Sequence, residues 1–186
     1  FRVARIMDKA WEIDHICIEK ALIVGRKIKE NIKFFINVAC ETWLNPKSRS
    51  PEFFSGGLAA PKNVYFELKL KDLILDFEQY KTISDFFRSK GFGLSVDDFY
   101  DTGFRTLSYL EDLKPDYIKL DNIFVRRINE DPHLQKAMKM IVGVFSNFGS
   151  VLIAEQVETE QEKDCLIKLG IKYAQGYLFA RPELAP

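Results

Sequence analysis

Six short apolar runs constrain this chain more than any other feature. They are Lys33–Val38 (KFFINV), Asn63–Leu68 (NVYFEL), Phe92–Asp97 (FGLSVD), Asp116–Asp121 (DYIKLD), Ser150–Glu155 (SVLIAE) and Lys172–Phe179 (KYAQGYLF), and they recur at intervals of roughly 20 to 35 residues. Each is nearly continuous rather than alternating, as expected of a strand buried on both faces. Between the runs the apolar period becomes helical. Residues Ile13–Ile28 read as a helix. Leu73, Phe77, Tyr80 and Phe87 fall on one helical face, with Gly91 at the expected C-terminal cap. Thr106–Leu113 reads as a short helix. A longer one carries Leu134, Met138, Ile141, Phe145 and Phe148 on one face, with Pro132 in its first turn and Gly149 beyond its end. Thr159-x-x-Glu162 is a capping box that opens a helix ending at Gly170. Strand and helix therefore alternate, which predicts a parallel α/β fold, either a barrel or a doubly wound sheet. The segment holding Pro46, Pro51, Gly56 and Gly57 reads as a loop. No internal repeat or low-complexity tract divides the chain, so residues 1–186 are expected to form a single domain.

Composition narrows the partners. Lys plus Arg and Asp plus Glu both total 27, a formal net charge of zero. That balance gives no broad attraction to DNA, RNA polymers or an anionic membrane surface. No apolar run approaches the roughly 20 residues of a spanning helix, and no signal peptide is visible. Cys17, Cys40 and Cys165 are odd in number and form no metal-type pair, which fits reduced thiols in the cytoplasm. The chain opens on Phe1 rather than Met and is expected to be part of a longer protein, which could itself be membrane-tethered.

The strand ends carry the chemistry. Asn37, Glu67, Asp97 with Asp98, Lys119 with Asp121, Glu155 and Gln175 each lie at or near the C-terminal end of an expected strand. In an α/β barrel that rim is where the loops build the active site. Carboxylates gathered on one rim repel one another unless a cation lies between them. An all-oxygen set with no His or Cys suits Mg²⁺ or Mn²⁺ rather than zinc. Two such ions suit in-line attack of water on a phosphodiester. Lys119 would then stabilise negative charge on a phosphate oxygen or on the nucleophile.

The same segments resemble a family. FFINVACETWLNP is similar to the N-L-S-P segment of EAL domains, the bacterial cyclic di-GMP phosphodiesterases. YFELKL resembles their E-I-T-E motif, VDDFYDTGF their D-D-F-G-T-G, DYIKLD their K-I-D, IAEQVET their A-E-G-V-E-T, and AQGYLFARP their closing Q-G-Y with its proline. The order and spacing match from about Ile13 to Pro182. The resemblance implies a (βα)8 barrel of the TIM type, incomplete here, that hydrolyses cyclic di-GMP to the linear dinucleotide with two Mg²⁺ or Mn²⁺ ions. It implies Asn37, Glu67, Asp97 and Asp98 as metal ligands, and Lys119, Glu155 and Gln175 as catalytic residues, with Glu158 as the second glutamate of its motif. Family members often dimerise, and the parent protein is expected to carry other signalling domains.

Departures from the family pattern open a second class of function. The Glu-x-Leu signature and the two strands around it are absent from the sequence, which predicts an open sheet edge. Leu70 stands where E-I-T-E ends in glutamate, Tyr100-Asp101 replaces a glycine with a one-residue insertion, and Gln156 replaces the glycine of A-E-G-V-E. A degenerate EAL domain would be a non-catalytic cyclic di-GMP receptor or a protein-interaction module. His15, His133, Trp11 and Trp43 read as surface or packing residues, Phe86, Phe87 and Phe92 as core, and Arg126-Arg127 as a solvated pair.

Overall fold

The computed structural model describes residues 9–25, 32–39, 42, 44–49, 63–100 and 103–183. Cys40, Trp43, Asp101 and most of the loop with Pro51, Gly56 and Gly57 lie outside them. The chain divides into two compact units, Phe1–Ser95 and Val96–Pro186.

In the first unit, helix α1 (Ala10–Gly25) buries Ala10, Asp14, Ile18 and Leu22, a stripe four residues apart. Asp14 is an acid on that apolar stripe. Its Oδ2 accepts the Ala39 N–H at 2.9 Å, so the helix holds the chain just beyond strand β1 (Phe34–Asn37). Strand β2 (Val64–Lys69) lies parallel to β1, with Asn37 opposite Glu67. The helical segment expected from Leu73 is two helices, α2 (Leu70–Leu75) and α3 (Phe77–Ser89). Asp76 breaks it and caps α3, accepting the Gln79 N–H at 3.3 Å. Phe66, Phe87 and Phe92 form the core, with Phe66 centroids 4.9 Å from Phe87 and 4.6 Å from Phe92. Gly93 opens strand β3 (Gly93–Phe99) because a Cβ there would lie 2.2 Å from the Tyr65 ring.

Strand β3 carries the chain into the second unit, which continues with α4 (Phe104–Leu113), β4 (Tyr117–Leu120), α5 (Pro132–Phe148), β5 (Val151–Ala154), α6 (Glu160–Lys168) and β6 (Tyr173–Ala174). Strands β4, β5 and β6 are parallel neighbours in that order. Their registers place Lys119 opposite Ile153, and Ile153 opposite Tyr173. Because side chains alternate with period two, Lys119, Glu155 and Gln175 share one face. Phe99 packs edge-on to Phe145 at 5.0 Å and stacks near Phe124 at 5.8 Å. Asp131 caps α5 through His133 N and Leu134 N, and Gly149 ends that helix at φ 78°. The last apolar run is a strand for two residues only; after Gln175 the chain turns back over Val157. Among the described residues no helix is long and apolar enough to cross a membrane.

Candidate functional site

Adjacent residues on a strand face opposite ways, yet Asp97 and Asp98 serve one cluster. The reason is local: Asp98 has φ 54°, in the left-handed region that Asp tolerates better than most residues. That break in the alternation brings oxygens of Asp97, Asp98 and Glu155 within 4.8 Å of one another. Lys119 lies among them, with Nζ 3.1 Å from Glu155 Oε1 and 3.9 Å from Asp97 Oδ1. The side chains of Lys119, Asp97 and Glu155 are exposed by only 7–11%. Gln175 Nε2 also donates to Glu155 Oε1, so two donors orient that carboxylate.

Among the described residues, three carboxylates against one ammonium leave a formal deficit of two positive charges. One divalent ion balances that deficit, and the all-oxygen donor set suits a hard ion. The residues therefore fit a metal. Glu155, read from the sequence as catalytic, stands with the carboxylates that would hold it.

In the first unit the strand register sets Asn37 beside Glu67 at the C-terminal ends of β1 and β2, Glu67 buried and Asn37 exposed. In the second unit Asp97, Asp98, Lys119, Glu155 and Gln175 come together. Asp121 instead caps the turn after β4 by accepting the Ile123 N–H. Glu158 pairs with Arg126 at 2.6 Å on the surface. His15 stacks on Trp11 within α1, ring centroids 5.0 Å apart.

A pocket of about 520 Å³ adjoins Gln175 and is lined also by Gln156, Glu158, Gly176, Tyr177 and Arg181. Arg181 lies over the Tyr177 ring at 5.2 Å. Gln156 has φ 55°, the conformation a glycine would take, and its Oε1 accepts from Asn122 Nδ2 at 3.2 Å.

Sequence reasoning saw Glu162 only as a helix cap. It is 3% exposed, and its Oε1 accepts Arg127 N at 3.2 Å while Oε2 accepts Glu158 N at 3.1 Å and Thr159 N at 3.2 Å. The Thr159 hydroxyl completes the cap by accepting Glu162 N. Burial alone would push the Glu162 carboxyl up, but the backbone N–H groups of Glu158, Arg127 and Thr159 and the Thr159 side chain outweigh it and hold it below its ordinary value of 4.5. A carboxyl depressed in the folded state contributes stability above its unfolded pKa and loses it as pH falls through the folded one. Urea denaturation between about pH 5 and pH 3 is expected to show stability falling with pH less steeply in Glu162→Gln than in the parent chain. Equal slopes would remove Glu162 as a source of acid sensitivity.

Parallel strands whose C-terminal ends gather a carboxylate–lysine cluster place it where α/β folds carry their sites. The EAL domain family profile matches residues 2–182, and the chain belongs to that family. The cyclic di-GMP phosphodiesterase PdeR of Escherichia coli (strain K12) is 39% identical over 116 residues, which are 62% of this chain and 17% of that protein. The chain thus matches about a sixth of that relative's length. The PaMucR phosphodiesterase in complex with c-di-GMP superposes with a TM-score of 0.85 at 22% identity, covering 97% of this chain and 81% of that one. The manganese and cyclic di-GMP complex of Klebsiella pneumoniae BlrP1 gives 0.80 at 26% identity, covering 92% and 45%. The architecture is the TIM-type barrel of EAL domains, with six strands among the described residues against the eight of a complete barrel.

Proposed function

We propose that this EAL domain binds cyclic di-GMP at the Asp97, Asp98, Glu155 and Lys119 cluster and its adjoining pocket, and hydrolyses it slowly to the linear dinucleotide. The cluster itself carries the reading: oxygens of three carboxylates gather beside a lysine at strand ends, a donor set that suits a hard divalent ion. Asp97, Asp98 and Glu155 would hold Mg²⁺ or Mn²⁺. When bound, such an ion supplies Lewis-acid stabilisation of negative charge on a phosphodiester oxygen. The Lys119 ammonium would stabilise the charge that builds on phosphorus-bound oxygens as water adds and the P–O bond to one ribose breaks. Glu155, oriented by Lys119 and Gln175, would help to orient the attacking water, one of whose protons ends on the ribose oxygen that departs. The pocket beside Gln175 would take a base of the dinucleotide, with the Tyr177 ring and the Gln156 amide on its walls.

A second reading, a receptor that binds without turnover, is favoured by two observations. Leu70 is fully buried and cannot supply the polar contact of the glutamate it replaces. Gln156 places a side chain on the pocket wall where the family pattern has none. The parent protein, on either reading, is a cytoplasmic signalling protein with further domains. The deciding experiment measures turnover of cyclic di-GMP with Mn²⁺ beside calorimetric binding, repeated with Asp97→Ala. Slow turnover lost in the variant supports the hydrolase. Binding with no turnover leaves the receptor, and absence of both overturns the nucleotide role.

A further inference from the structure

One loop lines the pocket, and a neighbouring loop is joined to it at three points. The first loop, after β4, holds Asn122, Arg126 and Arg127; the second, after β5, holds Gln156, Glu158 and Thr159. Asn122 Nδ2 donates to Gln156 Oε1 at 3.2 Å, and Arg126 pairs with Glu158 at 2.6 Å. Both links are exposed to solvent, where single hydrogen bonds and ion pairs hold little. The third is buried: Glu162 accepts from Arg127 N on one oxygen and from Glu158 N and Thr159 N on the other. Arg127 has φ 60°, a left-handed conformation at a non-glycine residue. The surrounding structure must hold such a conformation in place.

A capping box accepts Glu or Gln at this position, because one side-chain oxygen facing the N-cap suffices. The contacts here demand more. Donors approach both oxygens, so an amide would set its NH₂ against a backbone N–H on one side. We propose that Glu162 is a positioning residue: its carboxylate ties the loop after β4 to the loop after β5 and so fixes the Gln156 and Glu158 wall of the pocket. The inference rests on the reading of that pocket as the dinucleotide site.

The test uses the 186-residue chain, amide exchange by NMR and calorimetry with cyclic di-GMP. In the parent chain the Arg127 amide should exchange slowly although its residue is exposed in a turn. In Glu162→Gln that amide should exchange at least about tenfold faster while the α6 amides keep their protection, and the cyclic di-GMP Kd should rise about tenfold, the scale on which small displacements disturb a site. Thr159→Ala, which removes the cap oxygen but leaves the carboxylate, should change the Kd by less than about twofold. A capping role alone predicts full rescue by Gln. Unchanged Arg127 exchange, or faster exchange with an unchanged Kd, overturns the proposal. A parent chain that binds no cyclic di-GMP overturns the reading of the pocket and with it the positioning role, while Arg127 exchange still decides whether the tie between the loops exists.

Discussion

Lys119→Met is expected to reduce cyclic di-GMP turnover by a factor on the order of 10² to 10³, the usual loss when one preorganised charge facing the reacting group is removed. Its effect on the fold should be as large. The ammonium lies 3.1 Å from Glu155 and 3.9 Å from Asp97, all three side chains close to fully buried. Methionine fills about the same volume and removes the ammonium that lies against Glu155 and Asp97. Removing one partner of a buried ion pair costs about 3 to 5 kcal/mol, because the remaining charges stay desolvated. Urea denaturation without divalent ions should therefore show the variant less stable by that order. Millimolar Mn²⁺ should restore more stability to the variant than it adds to the parent chain, since the ion takes over the compensation. A variant as stable as the parent in the absence of metal would mean that the cluster is hydrated rather than buried.

Gly176→Ala should be the most damaging single methyl in the second unit. A Cβ at Gly176 would lie 2.2 Å from Val157 O and 2.4 Å from Val157 N. Both are backbone atoms, and both are engaged: Val157 N donates to Gln175 O at 3.1 Å, and Leu178 N donates to Val157 O at 3.1 Å. No rotamer change relieves the overlap, so the main chain must move. A loss of about 3 kcal/mol is expected in chemical denaturation. The shift would carry Gln175 with it, and the Gln175–Glu155 hydrogen bond is the nearest casualty. A crystal structure of the variant with Gln175 still on Glu155, together with unchanged stability, would refute this account.

Much of this was legible in the sequence, and the remainder was lost for identifiable reasons. Strand and helix order followed from the apolar periods, since burial sets those periods directly. The single helix read from Leu73 failed at Asp76, where capping chemistry overrode an uninterrupted apolar spacing. The last run looked like a strand of eight residues and pairs for two, because the contact of Gly176 with Val157 bends the chain where hydropathy gives no sign. Asp97, Lys119, Glu155 and Gln175 were found by their place at strand ends, which a one-dimensional pattern can show. The carboxylate of Glu162 was not, since a capping box names its own helix and says nothing of a loop 35 residues away. Asp14 was hidden similarly, a polar residue on an apolar stripe whose partner is Ala39.

The backbone at Gln156 carries a separate lesson about reading kinship from letters. Its φ of 55° is a glycine's geometry occupied by another residue. A letter-by-letter comparison scores that position as a mismatch, whereas the main chain there takes the left-handed shape a glycine favours and carries a side chain onto the pocket wall. Divergence in this loop is thus better gauged by torsion angle than by identity, and a mismatch at a left-handed position signals a change in what the loop displays before it signals a change in how the loop is built.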